Sequence, residues 1–162
     1  MSDNRNYILV HRIDSDARLD THIPLHMTAL HWFEMDVKAE EGLVRDVQEF
    51  AQNQPVLHTR ATEEVIFGPD NKVNDVPVMR LERTPELVRL HVGLIALVKP
   101  YGGLFDERWT GSELWNPHVT HQSEGRLQVG DTVEIDSLDL ITKAGDGTRR
   151  LVTRTMLGGR DD

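Results

Sequence analysis

Two copies of one short pattern carry the side chains in this sequence that are best suited to acid–base chemistry. The first copy holds His26 and Thr28, and the second, ninety-two residues later, holds His118 and Thr120. Side chains two apart on a β-strand point to the same face, so each imidazole would project together with its hydroxyl if each copy is a strand. Imidazole can donate or accept a proton near neutral pH. Two such pairs facing each other would therefore form an acid–base site for phosphate chemistry.

The composition is typical of an ordinary soluble, globular, single-domain protein. The chain has 162 residues, of which 38% are hydrophobic and 28% charged, so it can bury a core without a disulfide or a metal. It contains no cysteine, which excludes disulfides, thiolate metal sites and cysteine nucleophiles and is compatible with a reducing cytoplasm. Its start lacks a secretory signal pattern, and no segment approaches the ~20 apolar residues of a membrane span. We therefore expect a cytoplasmic monomer.

The charge balance limits the kind of partner. A formal net charge of −9 argues against a surface that tracks long nucleic acid, because Lys and Arg supply most of the affinity of such surfaces. A small nucleotide or the end of an RNA needs only a local basic patch. We expect a substrate of that kind.

Hydrophobic periodicity predicts two helices among several short strands. Apolar residues recur every three or four positions over 36–53, and Pro55 follows the end of that pattern. The run Thr84-Pro85-Glu86 is a strong helix start, with threonine as N-cap and proline in the first turn. Alternating or β-branched segments predict strands, which lie over 7–11, 26–33, 56–67, 76–81, 118–123, 132–142 and 149–157.

This order of elements predicts an α+β fold built as a duplication. The first lobe would span about 7–83 and the second about 84–157, and 158–162 would be a frayed tail. Each lobe would contribute a small antiparallel sheet with its helix packed outside. The two motif strands would then lie centrally, at a cleft between the lobes.

The segments 25–29 and 117–120 resemble the two signature motifs of the two-histidine (2H) phosphoesterase superfamily, which includes the bacterial 2′-5′ RNA ligase-like cyclic phosphodiesterases. The resemblance implies general acid–base catalysis by His26 and His118, with Thr28 and Thr120 holding the phosphate oxygens. No metal or cofactor is required by this scheme. It leaves open which histidine is the acid and whether hydrolysis or ligation is favoured.

The chain departs from the family pattern in two places. His121 follows the second motif where relatives have an apolar residue, and the segment between the first strand and the first motif is short. These departures bear on substrate recognition more than on catalysis. The spacing from His118 to His121 suits a metal only on a helix, so a zinc site is not expected on a strand.

Further substrate contacts are sought among arginines and aromatic residues, and the candidate arginines for phosphate contacts are Arg60, Arg80, Arg149, Arg150 and Arg154. Alternation along the last strand would put Arg150, Val152 and Arg154 on one face, where either arginine could contact a phosphate. Trp115, like Trp109, lies in the segment before the second motif and could stack on a base or simply cap the core.

Two alternative functions remain compatible with the sequence. One is a non-catalytic module that binds a nucleotide or an RNA end in the same cleft. The other is an acidic interaction domain in which His26 and His118 are structural.

Overall fold

The computed structural model describes residues 3–14, 18–20, 22–67, 76–102, 104–105, 110–111, 115–122 and 125–159. These residues form an antiparallel sheet and two α-helices, α1 (Glu40–Gln52) and α2 (Pro85–Val98), which confirms the α+β class. The strands are β1 (Asn4–Arg12), β2 (His26–Asp36), β3 (Leu57–Phe67), β4 (Val76–Leu81), β5 (Leu104–Phe105), β6 (His118–Thr120), β7 (Thr132–Ile135), β8 (Ser137–Lys143) and β9 (Arg149–Met156).

The strands form one continuous sheet instead of two separate ones. Their order across the sheet is β7-β3-β4-β6-β2-β1-β8-β9, and β5 pairs with β2 off this path. The sheet is continuous because the two motif strands, β6 and β2, pair with each other at its centre. Each half of the sheet therefore combines strands from both predicted lobes, which chain order alone does not predict.

The segment predicted as one strand over 132–142 is instead two strands separated by Asp136. Strand β7 pairs with β3 at one end of the sheet, while β8 pairs with β1 and β9 near the other end. Because a single residue separates strands from opposite ends of the order, the sheet must curl until those ends approach each other.

Both helices pack on one side of the sheet, which we call the helix face. Helix α2 begins as the sequence predicts, because the Thr84 hydroxyl accepts a hydrogen bond of 3.1 Å from the Leu87 N–H. Helix α1 begins later than predicted, since Asp36 caps a preceding 3₁₀ turn over 37–39. The buried side chains that join helices and sheet include Leu43, Val47, Ala51, Leu87, Leu90, Leu94, Met27, Met79 and Val119.

The opposite side of the sheet is the motif face, and it carries both histidine–threonine pairs. Alternation along β2 sends Met27 into the helix-face core and leaves His26 and Thr28 on the motif face, half-buried. A smaller apolar cluster of Ile8, Val10, Ile23 and Ile141 lies apart from the helix-face core. No helix among the described residues is both long and apolar enough to cross a membrane.

Candidate active site

The pairing of β2 with β6 brings the two motifs side by side. Met27 lies opposite Val119 in an antiparallel register, so each histidine lies opposite the threonine of the other motif. Side chains directly opposite in such a pair have Cβ atoms about 5 Å apart, and diagonal neighbours about 7–8 Å. His26 and His118 are such diagonal neighbours on the motif face.

The two imidazoles are oriented by the same kind of contact. The Nδ1 atom of His26 is 2.9 Å from the carbonyl oxygen of Pro24, and that of His118 is 2.7 Å from the carbonyl oxygen of Asn116. A carbonyl can only accept, so Nδ1–H donates in both rings. In the neutral state the basic lone pair of each ring is therefore on Nε2, so a proton would enter or leave each ring through that atom.

Burial lowers the pKa of both imidazoles below the ordinary value of 6.5. For His26 burial is the largest cause, and the positive charge on His118 adds to it. For His118 burial is again the largest cause, and the guanidinium of Arg80 adds to it. The bonds to the two backbone carbonyls oppose the shift without cancelling it. Both rings are therefore mainly neutral at neutral pH until an anion arrives.

The two strands on either side of the motif strands carry a second repeat, which consists of a valine and an arginine. Arg12 on β1 lies opposite His26, and Arg80 on β4 lies opposite His118. Each arginine is preceded by a valine two positions earlier, which lies opposite a motif threonine in the same register. The motif face therefore carries the same four residue types twice, in matching positions on each side of the β2–β6 junction.

The two arginines have different counter-ions. The Nε atom of Arg12 is 2.6 Å from Oδ2 of Asp139, which is fully buried. Arg154 on β9 binds the same carboxylate through Nε at 2.8 Å and Nη2 at 3.1 Å. Two guanidinium groups thus share one buried carboxylate beside His26.

Arg80 is held more loosely. Its Nη1 atom is 2.5 Å from Oε1 of Glu63, a carboxylate whose side chain is 55% exposed. The Nε atom of Arg80 is buried and has no hydrogen-bond partner among the described residues. An unused donor thus lies next to the second motif.

His91 connects the two motif segments from the helix face. Its Nδ1–H donates to the carbonyl oxygen of Ala29 at 2.7 Å, and its Nε2 accepts the Gly111 N–H at 2.9 Å. Its ring stacks on Trp115 with a centroid distance of 4.5 Å and an interplanar angle of 6°. Because Ala29 follows the first motif and Trp115 precedes the second, His91 fixes the two segments relative to each other.

The predicted shared face of Arg150 and Arg154 is wrong, because β9 contains a β-bulge. Leu140 pairs with Thr153 but Ile141 pairs with Leu151, which leaves Val152 as an extra residue. An extra residue reverses the alternation on one side of it. Arg154 therefore lies on the motif face, whereas Arg150 lies on the helix face.

Two contacts confirm the position of Arg150. Its Nη2 atom is 4.0 Å from Oε1 of Glu40, and its charge acts on Tyr7 in the helix-face core. Arg150 therefore does not reach the histidine pair.

Trp115 is also not at the site. It is 2% exposed, and its ring lies in the helix-face core against His91. Of the two roles that the sequence left open for Trp115, its position fits packing in the core. Trp109 lies outside the described residues.

Sequence reasoning missed Arg12 and named Arg80 only as one of five candidate arginines, although a signal for both was present. Val10-His11-Arg12 and Val78-Met79-Arg80 share the pattern valine, any residue, arginine, and each lies in a strand that precedes a motif strand. The buried Asp139 carries no comparable signal, because an acidic residue in an alternating strand normally indicates a solvent-facing position.

No group of three or more His, Asp or Glu side chains in the described part of the chain is arranged to hold a metal ion. On the motif face the described residues offer two imidazoles as acid–base groups, with hydroxyls and guanidiniums beside them that can bind an anion.

Comparison with known proteins identifies solved structures that have the same fold. No protein-family model matches the sequence, and no curated protein does either. Among solved structures, apo LigT of E. coli is similar with a TM-score of 0.65 at 13% identity, covering 96% of this chain and 99% of LigT. A crystal structure described as a phosphoesterase gives 0.63 at 15% identity, with 96% and 99% coverage. TT0787 of Thermus thermophilus gives 0.62 at 15% identity, with 96% and 100% coverage.

LigT has also been crystallised with NADP⁺, with 3′-AMP and with ATP. The similarity to these proteins extends over nearly the whole of each chain. The resemblance inferred from the two histidine–threonine motifs is thereby confirmed at the level of the fold, which this chain shares with LigT, the phosphoesterase and TT0787.

Proposed function

We propose that this protein is a 2H-type phosphoesterase that opens 2′,3′-cyclic phosphates or cleaves 2′-5′ linkages on RNA ends or small nucleotides. The observation that carries the proposal is the register of Met27 opposite Val119, which makes His26 and His118 diagonal neighbours on one face. The complexes of LigT with mononucleotides and a dinucleotide support a substrate of that size.

Hydrolysis of a 2′,3′-cyclic phosphate needs a base and an acid on opposite sides of the phosphorus. One imidazole accepts a proton from water through Nε2 while the water oxygen bonds to phosphorus. The other imidazole, protonated on Nε2, donates its proton to the ribose oxygen as the bond from phosphorus to that oxygen breaks. The product is a phosphomonoester, and the two rings have exchanged protonation states.

Binding of the substrate favours the state in which one imidazole is protonated and the other is neutral. Both imidazoles have lowered pKa values in the free protein because they are buried. A phosphate anion between them favours a proton on one ring by direct attraction. The hydroxyls of Thr28 and Thr120, one beside each imidazole, can donate to the non-bridging oxygens as negative charge redistributes.

The test is turnover of a 2′,3′-cyclic nucleoside monophosphate by His26→Ala and His118→Ala, with replacement of the exposed His58 as control. Each motif variant should lose at least about 10²-fold in kcat while keeping its circular dichroism spectrum, because acid–base catalysis contributes about 10²–10⁴-fold. The His58→Ala variant should match the parent, and a chelator should leave all rates unchanged.

Full activity in either motif variant would refute the two-histidine mechanism. Binding of the cyclic nucleotide by the parent protein, with no product at any pH, would instead identify a non-catalytic binding module.

A further inference from the structure

The buried Nε atom of Arg80 is the polar group at the site whose role the two-histidine mechanism does not explain. Arg80 lies opposite His118 in the β4–β6 register, so its side chain starts on the motif face about 5 Å from that of the histidine. Its Nε has no hydrogen-bond partner among the described residues. Leaving a charged donor unpaired and shielded from water is unfavourable, so such a group is a candidate for ligand binding.

The equivalent arginine on the other side of the junction is not available in this way. The side chain of Arg12 is only 5% exposed, and its Nε is bonded to the fully buried Asp139. Arg154 holds the same carboxylate from the other side. Movement of Arg12 toward a ligand would break up a buried ion cluster, which is costly.

Arg80, in contrast, can change partners at little cost. Its side chain is 37% exposed, and its counter-ion Glu63 is more exposed still. Ion pairs of this kind at a surface contribute little to stability. A phosphate oxygen could therefore take a charge-assisted bond from Nε without disturbing the fold.

We propose that Arg80 binds a non-bridging oxygen of the substrate phosphate on the His118 side of the site, whereas its counterpart Arg12 is structural. The inference rests on the proposed function, since it names the cationic group that holds the phosphate of that reaction. It makes the two halves of the site unequal: the imidazoles and hydroxyls are repeated, but the anion-binding arginine is single.

The test compares Arg80→Gln, Arg80→Lys and Arg80→Ala with Arg126→Gln, a matched control in which an exposed arginine loses its 3.9 Å contact with Glu64. With a 2′,3′-cyclic nucleoside monophosphate, Arg80→Gln should lower kcat/KM about 10- to 100-fold, the usual effect of losing a bond to a charged group. Arg80→Lys should lie between Arg80→Gln and the parent, because it keeps the charge but loses the planar donor group.

Two further measurements separate ligand binding from a structural role. Inorganic phosphate should inhibit Arg80→Gln about 10-fold more weakly than the parent, and added guanidinium ion should restore part of the turnover of Arg80→Ala. Arg126→Gln should match the parent in both measurements. The thermal midpoints of all four variants should agree with that of the parent.

Parental kcat/KM and parental phosphate inhibition in Arg80→Gln would overturn the inference while leaving the two-histidine mechanism intact. If the parent does not turn over the cyclic nucleotide, the role of Arg80 is tested by the binding of inorganic phosphate, which is monitored by NMR of the imidazole protons. Tighter binding by the parent than by Arg80→Gln would then support Arg80 although the proposed function fails. Equal binding, or none, would refute the inference.

Discussion

The half of the site around His26 and the half around His118 are built from the same residues and differ in what surrounds them. In each half a strand pair places arginine beside histidine, and a carbonyl two residues earlier fixes the imidazole tautomer. Around His26 the arginine is bonded to a buried carboxylate. Around His118 it is bonded to an exposed one, and its Nε is unpaired among the described residues.

In the proposed reaction, the residues that the two halves share would carry out the chemistry, and the residues that differ would recognise the substrate. The repeated parts are those that an acid–base reaction at phosphorus needs twice, namely a proton carrier and a hydroxyl. The parts that differ are the counter-ions of the two arginines, and in the proposed reaction they decide which arginine orients an asymmetric substrate. A site of this kind can keep its reaction while its arginines and their counter-ions are adapted to different substrates.

Among the substitutions that test this comparison, replacement of Asp139 should have the largest effect on stability. Asp139→Asn removes the buried charge that Arg12 and Arg154 share. Because two guanidinium groups would then lose that buried counter-ion, the free energy of unfolding should fall by about 3–5 kcal/mol in urea titrations.

The equivalent change on the other side is Glu63→Gln. Glu63 is exposed, so its loss should cost less than about 1 kcal/mol in the same titrations. Similar losses in Asp139→Asn and Glu63→Gln would contradict the structural role assigned to Arg12.

Replacement of the motif threonines should have a smaller effect, and it tests whether the hydroxyls of both halves bind the phosphate. Thr28→Val and Thr120→Val keep the shape of the side chain and remove one donor each. Loss of a donor to a developing oxyanion costs about 10² in kcat, so both variants should slow turnover of the cyclic nucleotide by about that factor. A parental rate in either variant would show that only one half holds the phosphate.

The smallest effect concerns stability in mild acid. Burial lowers the pKa values of His11, His26, His91 and His118 in the folded protein below 6.5. The unfolded chain therefore binds more protons as the pH falls below about 6.5, and stability decreases in that range and is fully present above it. The urea midpoint should fall between about pH 7 and about pH 5.

The variant His91→Phe is the control for this pH dependence. It removes one of the four imidazoles whose pKa is lowered, so its urea midpoint should depend less steeply on pH than that of the parent. An unchanged slope would show that His91 does not contribute to the acid sensitivity.

The two motifs and most elements could be predicted because their signals are local. Alternation identified the strand at His26, and the run Thr84-Pro85-Glu86 marked the start of α2, which the structure confirms. The repeat of histidine and threonine pointed to the fold that the solved structures share. None of these inferences needed to know which strands pair.

The features that the sequence did not reveal depend on pairing. A β-bulge at Val152 separates Arg150 from Arg154, and no local pattern marks it. The break at Asp136 coincides with a shift of the alternation between Ile135 and Leu138, but the sequence does not say that β7 and β8 pair in different parts of the sheet. Asp139 is buried because two arginines from distant strands meet it, a condition that exists only in the assembled sheet.

The central claim is that His26 and His118 act together on one phosphorus, and a crystal structure of the protein with bound inorganic phosphate tests it most directly. The account predicts one phosphate over the β2–β6 junction, with its oxygens about 2.6–3.2 Å from Nε2 of both imidazoles. A phosphate held by only one imidazole, or by neither, would contradict it.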